Sequence, residues 1–488
     1  MKPEYKFSLL GLMTPFVSIA IFVSAPALTN AQNIPELLSI DPRKMEFEPV
    51  KFTPPKPERL ILENGMIVYL LPDHELPLIS INVMVKTGAI YEPADKVGLA
   101  GMTGSIMRTG GSGNRTGDEI DEAIEFISAN INVHVGSDSG SASLDVLKKD
   151  LNFALGIFVD MLRTPQFEQG KLDLAKKRAL ENIRRQNDRP SGIASREFYK
   201  VLYGHHHPYG RISTAKGISS ITRDDLKTFH QTYFHPNSMM LGVTGDFERE
   251  EMISTLRNVF GDWPKSDVTF PSVPPVNPNI KGSVNHVEKD VTQTHLRIGH
   301  LSIRQNHQDY FALAILDDIL GAGGFSSRLF QDVRTRQGIA YSVGSTLRAG
   351  NFDLGSLLLY AQTKSETTHQ AITSMMAHLK RMSEEQVTPE ELNRAKDAFL
   401  NSFVFSFSNA GAIVSRLMSL EYYELPSDFL ERYRDNVVKL TADDLLTAAK
   451  THYHPDNLTI MTVGKAQAFK KALSTFGPVQ IIPLTEEE

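Results

Sequence analysis

The strongest constraint on this chain of 488 residues is that it repeats itself. The stretch from Thr222 to Thr228 (TRDDLKT) returns as Thr441 to Thr447 (TADDLLT), an offset of 441 − 222 = 219 residues. At that offset Phe234-His235-Pro236-Asn237 matches Tyr453-His454-Pro455-Asp456, and Gly245 matches Gly464. Both copies read as a Thr-capped helix, a His-Pro turn and an apolar strand. Several matches at one offset predict a duplicated α+β unit rather than a coincidence. They also make His235 and His454 turn residues before proline, not ligands.

The rest of the order agrees. In the first copy, two β-rich runs flank Asn64-Gly65 and predict a hairpin. A strand over Leu78–Val85 follows, then a helix from Asp118 to Ala129 with Ile120, Ala123, Ile124 and Ile127 on one face. Strands at Ile131–Val135 and Ser141–Leu147 precede helices over about 150–162 and 168–187, ending before Pro190. Phe270 to Pro278 (FPSVPPVNP) is an extended, semi-rigid linker. Beyond it the spacing predicts a strand (Thr294–Leu301), a helix (Asp309–Leu320), a strand (Phe352–Tyr360) and long helices from Thr367. These signals divide the chain into an N-terminal domain, 58–266, a Pro-rich linker, 267–282, and a C-terminal domain, 283–488.

One stretch of the second copy invites chemistry: Gly321 to Val343, GAGGFSSRLFQDVRTRQGIAYSV. Gly321, Ala322, Gly323 and Gly324 free the backbone for close approach or positive φ. Ser326 or Ser327 is placed to cap a helix that carries Leu329, Phe330 and Val333 on one side and stops at Gly338. Its last turn presents Arg334, and the strand after it presents Tyr341. A guanidinium and a phenol beside bare glycine backbone can grip a carbonyl or carboxylate. The plainer alternative is a helix–strand corner with a solvated arginine and a core tyrosine.

Composition narrows the chemistry by exclusion. The chain has no cysteine, so disulfides, thiolate metal sites and thiol nucleophiles drop out. A formal charge of −6 gives no reason to expect nucleic acid. His205-His206-His207 is conspicuous, but neighbours in a turn point different ways, so the run reads as a surface loop. His295 and His300 fall on opposite faces of their strand. At the N-terminus, Lys2 and Lys6 precede an apolar run from Phe7 to Val23 and a small-residue exit, as in a secretory signal cleaved after Ala27 or Ala31. Residues 1–31 are therefore read as a signal peptide and 32–57 as an extended arm; export to a periplasm is expected. Membrane anchoring by an uncleaved signal is the alternative, and no later stretch is apolar enough to span.

From about Glu58 to Pro478 the chain resembles the pitrilysin/insulinase-type zinc metallopeptidases, in particular their processing-peptidase-like branch. The resemblance rests on Gly88-Ala89-Ile90-Tyr91-Glu92-Pro93 with Gly98-Leu99-Ala100, on His207-Pro208-Tyr209-Gly210, and on the Arg334/Tyr341 stretch. It implies two homologous α+β domains in a clamshell, each a mixed, mainly antiparallel sheet packed with helices. Family members that hydrolyse peptides carry His-x-x-Glu-His on the helix after the Gly-Leu-Ala lead-in, two histidines for zinc and a glutamate as general base. Here Gly101 and Ser105 stand at the histidine positions and Gly104 at the glutamate position. The distal glutamate ligand falls at Asn182 or, with a one-residue shift, at Glu181. No cofactor is expected on this chain.

The resemblance further implies a division of labour. This chain would be the non-zinc subunit of a heterodimeric metallopeptidase. Arg334 and Tyr341 would be its catalytic residues, and Gly321, Gly323, Gly324 and Ser327 its peptide contacts. Zinc would sit on a homologous partner with an intact His-x-x-Glu-His. The alternative is a catalytically inert peptide-binding or assembly subunit, like those in the cores of respiratory complexes.

Overall fold

The computed structural model describes residues 55–405, 407–426 and 429–484. The expected signal peptide, 1–31, and most of the expected arm, 32–57, lie outside the described residues. Strand β1 (Glu58–Ile61) turns through Leu62–Met66 into β2 (Ile67–Pro72), with Gly65 at φ +87° as the Asn-Gly pair predicts. The next strand, β3 (Leu78–Val85), alternates buried and half-buried as its sequence does. Helix α1 (Leu99–Thr109) follows, then α2 (Gly117–Phe126), opened by a Thr116/Glu119 capping box with Ile120 and Ile124 buried. Strands β4 (Asn130–Val135) and β5 (Gly140–Leu147) form the next hairpin. Helices α3 (Leu151–Arg163), α4 (Gln169–Arg184), α5 (Pro190–Tyr203, Pro at its first position), α6 (Ala215–Ser220) and α7 (Arg223–Tyr233) lead to β6 (Met239–Gly245) and α8 (Arg249–Phe260). The first sheet runs β1-β2-β6-β3-β5-β4.

The linker has no regular structure but is not loose. Phe270 packs on Tyr91 and Tyr233, and Val276 is buried with its N–H donated to Asp353 Oδ2 at 2.7 Å. After it come β7 (Ser283–Glu288), β8 (Gln293–Leu301) and α9 (Tyr310–Asp317). A π-helical turn, Asp318–Ala322, extends α9, and a second π-helix covers Phe330–Arg336. Next are β9 (Ala340–Arg348), β10 (Ser356–Lys364), α10 (Thr368–Glu384), α11 (Pro389–Phe405), α12 (Ala410–Tyr422), α13 (Phe429–Lys439), α14 (Ala442–His452), β11 (Thr459–Gly464) and β12 (Val479–Ile481). The second sheet runs β12-β7-β11-β8-β10-β9.

Both sheets have a parallel pair at the same place, β2 with β6 and β7 with β11; the edges beside it differ, β1 being antiparallel to β2 and β12 parallel to β7. Each has its own large core under its helices. The repeat also exchanges elements. Helix α5, from the first half, buries Ile193, Ala194, Phe198 and Leu202 against Val287, Leu358, Met461 and Val463 of the second sheet. Its counterpart 219 residues later, α12, lays Ile413, Val414 and Met418 on Tyr69 and Leu71 of the first. The seat for α12 is made by Gly242, where a Cβ would lie 2.3 Å from Val414 Cγ1. Polar ties join the halves too: Arg59 to Glu421 through Nε and Nη2 (2.8 and 2.7 Å), Asn351 Nδ2 to Asp138 Oδ2 (2.8 Å) and Tyr422 OH to Asp138 O (2.7 Å). The described residues form one compact unit.

Three local expectations need correction. The strand placed at Phe352–Tyr360 runs from Ser356 to Lys364, because Gly350 and Gly355 both donate to Ile303 O and hold Phe352 in the loop between them. The helix placed at Asp309–Leu320 is helical only to Asp317 in α geometry and continues as a π-turn. Finally, the His205–His207 run is not all surface: His207 is buried, stacks on Tyr203 and takes Tyr209 N–H on its Nδ1 at 3.1 Å.

Candidate functional site

The site is in two parts, one on each half. On the first half, the lead-in to α1 has a clear physical job. Glu92 is buried, and its two carboxylate oxygens accept the N–H groups of Gly98 (3.0 Å) and Ala100 (2.9 Å). It therefore satisfies the free donors at the start of α1, which Gly98 enters at φ +109°. Burial pushes the Glu92 carboxyl up to about 6, against the lowering effect of those backbone bonds. The sequence reading had no role for Glu92 beyond family likeness.

At the three degenerate positions α1 offers nothing to a metal, and the reason is more than missing side chains. Ser105 is exposed and Gly101 half-buried, with the nearest atom to an added Cβ at 4.0 Å. Gly104 is buried flush against β4: a Cβ there would lie 2.6 Å from Val135 N and 3.0 Å from His134 C. The space into which a general-base glutamate would extend is taken by the β4 backbone. On α4, Asn182 and Glu181 are both exposed, and the Glu181 carboxylate lies 3.8 Å from Arg184. A zinc ion does not fit the residues present at this place.

On the second half, the glycine-rich stretch divides by burial. Gly321 is buried under β9, where a Cβ would meet Ser345 N at 2.3 Å, so it is a packing glycine. Ser327 is fully buried and donates its hydroxyl to Gly324 O at 2.8 Å. Neither faces a peptide, which corrects their reading as substrate contacts. Gly323 bends back to donate to Asp318 O (2.9 Å), while Gly324, at φ +58°, is exposed with open space where a side chain would be. Neither serine caps the following helix with its side chain. Ser326 Oγ donates to Gly323 O (2.9 Å) and receives Arg394 Nη1 (2.6 Å).

The helix itself is π, its N–H bonds reaching back five residues, as from Gln337 to Asp332 O at 2.9 Å. Leu329 and Val333 point into the core. Phe330 and Arg334, four residues apart, share the outer face, and Gly338 ends the helix at φ +65°. Its polar residues are nearly all engaged. Arg328 forms a fork with Glu391 (2.7 Å to each oxygen), while Asp332 takes His378 Nε2 (2.7 Å), Gln337 Nε2 (2.9 Å) and Arg336 (3.3 Å). Burial raises the Asp332 carboxyl, but these partners outweigh it and hold it below the usual range.

Arg334 is the exception. Its guanidinium lies over two aromatic faces, 4.6 Å from the Phe330 centroid and 5.4 Å from that of Tyr341, and it has no hydrogen bond or ion pair with a described residue. Tyr341 is 73% exposed, at the start of edge strand β9, so the core-tyrosine alternative is excluded. Phe325, 75% exposed and edge-on to Phe330 at 4.7 Å, completes an open aromatic platform that the sequence reading missed. The spacing Phe325, Phe330, Arg334 was the available signal, but it does not follow the 3.6-residue period by which an α-helical face is read.

Two family models match. Residues 68–212 match the insulinase model of peptidase family M16, and residues 220–399 match the model described as the peptidase M16 inactive domain. Together they take in well over half of the chain. The chain belongs to peptidase family M16. Among curated relatives, it is 25% identical over 360 residues to an uncharacterized zinc protease, YmxG, of Bacillus subtilis (strain 168), covering 74% of this chain and 86% of that protein. It is 28% identical over 347 residues to an uncharacterized zinc protease of Mycobacterium leprae (69% and 76%). Among solved structures, a peptidase M16 inactive domain from Pseudomonas fluorescens aligns with TM-score 0.78 and 26% identity, over 85% of this chain and all of that one. The fold is shared with the periplasmic protease PqqL of Escherichia coli, at TM-score 0.74 and 14% identity over 94% of this chain and 49% of that one. No helix among the described residues is long and apolar enough to cross a membrane.

Proposed function

We propose that this M16 chain is an exported, zinc-free subunit that binds extended peptide and completes the active site of a homologous zinc-bearing partner. The observation that carries the reading is Arg334. In a stretch where the other two arginines are paired, its guanidinium is held on an exposed aromatic platform with its hydrogen-bonding edge unspent. Such a fork matches a peptide carbonyl, and the Tyr341 hydroxyl beside it can donate to an oxyanion that develops there. Gly324 leaves backbone open next to the platform. Strand β4, at the free edge of the first sheet, offers N–H and C=O groups for strand addition by the peptide.

The sealed Gly104 position supports the complementary half of the proposal: this chain activates no water at α1. Zinc on the partner would supply the Lewis acid and the activated water. What this chain's residues contribute is grip on the backbone and donors aimed at the scissile carbonyl. Export rests on the N-terminal segment and on the likeness to a periplasmic fold relative.

The test is reconstitution. The isolated chain is expected to hydrolyse no peptide, and to raise the activity of a homologue bearing His-x-x-Glu-His when the two are mixed. Chelator-sensitive cleavage by the isolated chain would overturn the proposal. Complex formation with activity indifferent to Arg334 and Tyr341 would replace it with an assembly role.

A further inference from the structure

We infer that the second half carries a divalent-metal site of its own, built from His307, Asp309 and His452 and unrelated to the degenerate positions on α1. The ligating atoms of these three side chains lie within 4.8 Å of one another. His452 ends α14, and His307 and Asp309 sit in the loop that opens α9. This departs from the expectation that the chain binds no cofactor, which rested on the family's helix, the His205–His207 run and the His295/His300 pair.

The chemistry of the set is that of a borderline first-row ion, Zn²⁺ first among them: two imidazoles and one carboxylate, with a fourth position left to water. Each group is turned toward the others at the cost of a more ordinary role. Asp309 is the N-cap residue of α9, where an aspartate usually accepts an N–H of the first turn, yet its side chain makes no capping bond. Its Oδ2 instead receives His452 Nε2 at 2.8 Å and lies 3.8 Å from His307 Nδ1. His307 Nδ1 accepts the Asp309 N–H at 3.1 Å, which keeps a lone pair on Nδ1 and the ring proton on Nε2. That is the tautomer needed for ligation through Nδ1.

Metal binding then balances simply. The ion takes the place of the proton that His452 Nε2 shares with Asp309 Oδ2; in the neutral ring that proton passes to solvent and Nδ1 takes one up, so the imidazole stays neutral and its Nε2 lone pair faces the ion. His307 Nδ1 exchanges its weak backbone contact for the ion. Tetrahedral donors at about 2.0–2.1 Å stand roughly 3.3 Å apart, so Asp309 and His452 separate by about half an ångström while His307 closes in. Both imidazoles line a cavity of about 390 Å³ shared with His300, Arg304 and His454, which gives water a route to the fourth position. His300 is not a fourth ligand: it is buried, with Nδ1 on Leu301 O at 2.6 Å and Nε2 taking the N–H of His454.

The repeat argues that the fold does not require this set. At the position equivalent to His452 the first half has Tyr233, which stacks on Tyr91 and Phe270. The same helix end is filled there by an aromatic stack and here by metal-ligand chemistry.

The experiment is zinc titration of the full chain after chelator treatment and dialysis, by calorimetry and by metal analysis. The expected result is one saturable Zn²⁺ per chain, with affinity lowered at least about tenfold in Asp309→Asn and in His452→Ala, and unchanged in the His205→Ala/His206→Ala double variant. Circular dichroism checks that each variant is folded, and Co²⁺ substitution should give a visible absorption band that Asp309→Asn, the most conservative change, abolishes. Absence of stoichiometric binding, or binding that follows the His205/His206 pair instead, overturns the inference. The readout is binding, so either outcome leaves the peptidase-subunit proposal to its own test.

Discussion

The two halves of this chain share the order of five strands, a mixed-sheet plan and a pair of exchanged helices, and they differ where each approaches chemistry. In the first, the helix that holds the family's zinc ligands is intact as a helix: Glu92 still satisfies its first turn. Yet Gly104 lets it settle against β4 until no side chain fits. In the second half, the equivalent region is less regular. Two π-turns interrupt it, and an arginine and three aromatic rings stand out from it. Regularity has followed packing in one half, and irregularity has kept polar groups unspent in the other. π-turns inside helices are frequent at functional sites, and here the Phe330–Arg336 turn carries Arg334 stacked on Phe330 four residues before it.

The sharpest way to break the comparison is to remove the second half's exposed pair. In a reconstituted complex with a zinc-bearing homologue, Arg334→Ala with Tyr341→Phe is expected to lower kcat by about 10²–10³, the usual loss for an oxyanion donor, with folding and complex formation preserved. A complex at full activity would mean that the platform is surface decoration and that the halves do not differ in function.

Next in size is a pair of changes within α1. Gly104→Ala places a methyl against the Val135 backbone and should cost about 1–3 kcal/mol by overpacking. Gly101→Ala, with nothing nearer than 4.0 Å, should instead gain up to about 1 kcal/mol of helix propensity. Urea unfolding of both variants decides it, and effects of the same sign would contradict the close seating of α1 on β4. For the same reason Gly101→His, Gly104→Glu and Ser105→His together should not restore zinc binding at α1.

Much of this was legible in the sequence, unevenly. Period-two alternation placed β3, β4 and β5 within a residue, and the 219-residue offset matched Thr222 to Thr441 before either helix was seen. The missing ligands at Gly101, Gly104 and Ser105 could be read directly; the closure of the space could not, because it depends on how near β4 comes. Phe352 looked like the start of a strand because apolar pattern cannot register the backbone bonds of Gly350 and Gly355. The choice of Arg334 over Arg328 and Arg336 was a family likeness in the sequence and became a physical distinction only with their partners in view. The His307, Asp309 and His452 group was out of reach, since 143 residues separate its last two members.

A third test uses a feature that both halves have. Each buries one carboxyl raised to about 6, Glu92 at the start of α1 and Asp317 at the end of α9, where it accepts from Ser345 and Leu347. Burial is the main cause in both. Such a group keeps its proton in the folded state after the unfolded chain has lost it, so stability falls as pH rises from the unfolded value toward 6 and is level above. For Glu92 the loss is up to about 2 kcal/mol. Glu92→Gln does not titrate, so the stability of the natural protein relative to this variant should shrink between pH 4.5 and 6. Parallel stability profiles across that range would rule the assignment out.

The smallest expected effects test the duplication most directly. Thr222 and Thr441 head equivalent capping boxes: each Oγ1 accepts the N–H of Asp225 or Asp444 at 3.2 Å, and each aspartate returns the bond to the threonine N–H at 2.7 and 2.8 Å. Replacing either threonine by alanine should cost about 1 kcal/mol, and the two costs should agree because the geometry does. The aspartates should not agree. Asp225 also holds Lys96 Nζ at 2.6 Å, tying α7 to the lead-in of α1, whereas the hydrogen bonds of Asp444 to described residues stay within its own box, with Lys396 acting on it electrostatically and Gln386 bonding the adjacent Asp443 instead. Asp225→Ala should therefore exceed Asp444→Ala by a few tenths to about 1 kcal/mol, the range for a partly exposed ion pair. Added salt should narrow that gap and leave the threonine pair level. Unequal threonines would place the divergence of the halves in their backbone, whereas equal threonines with unequal aspartates place it in the side chains that each half has recruited around a common frame.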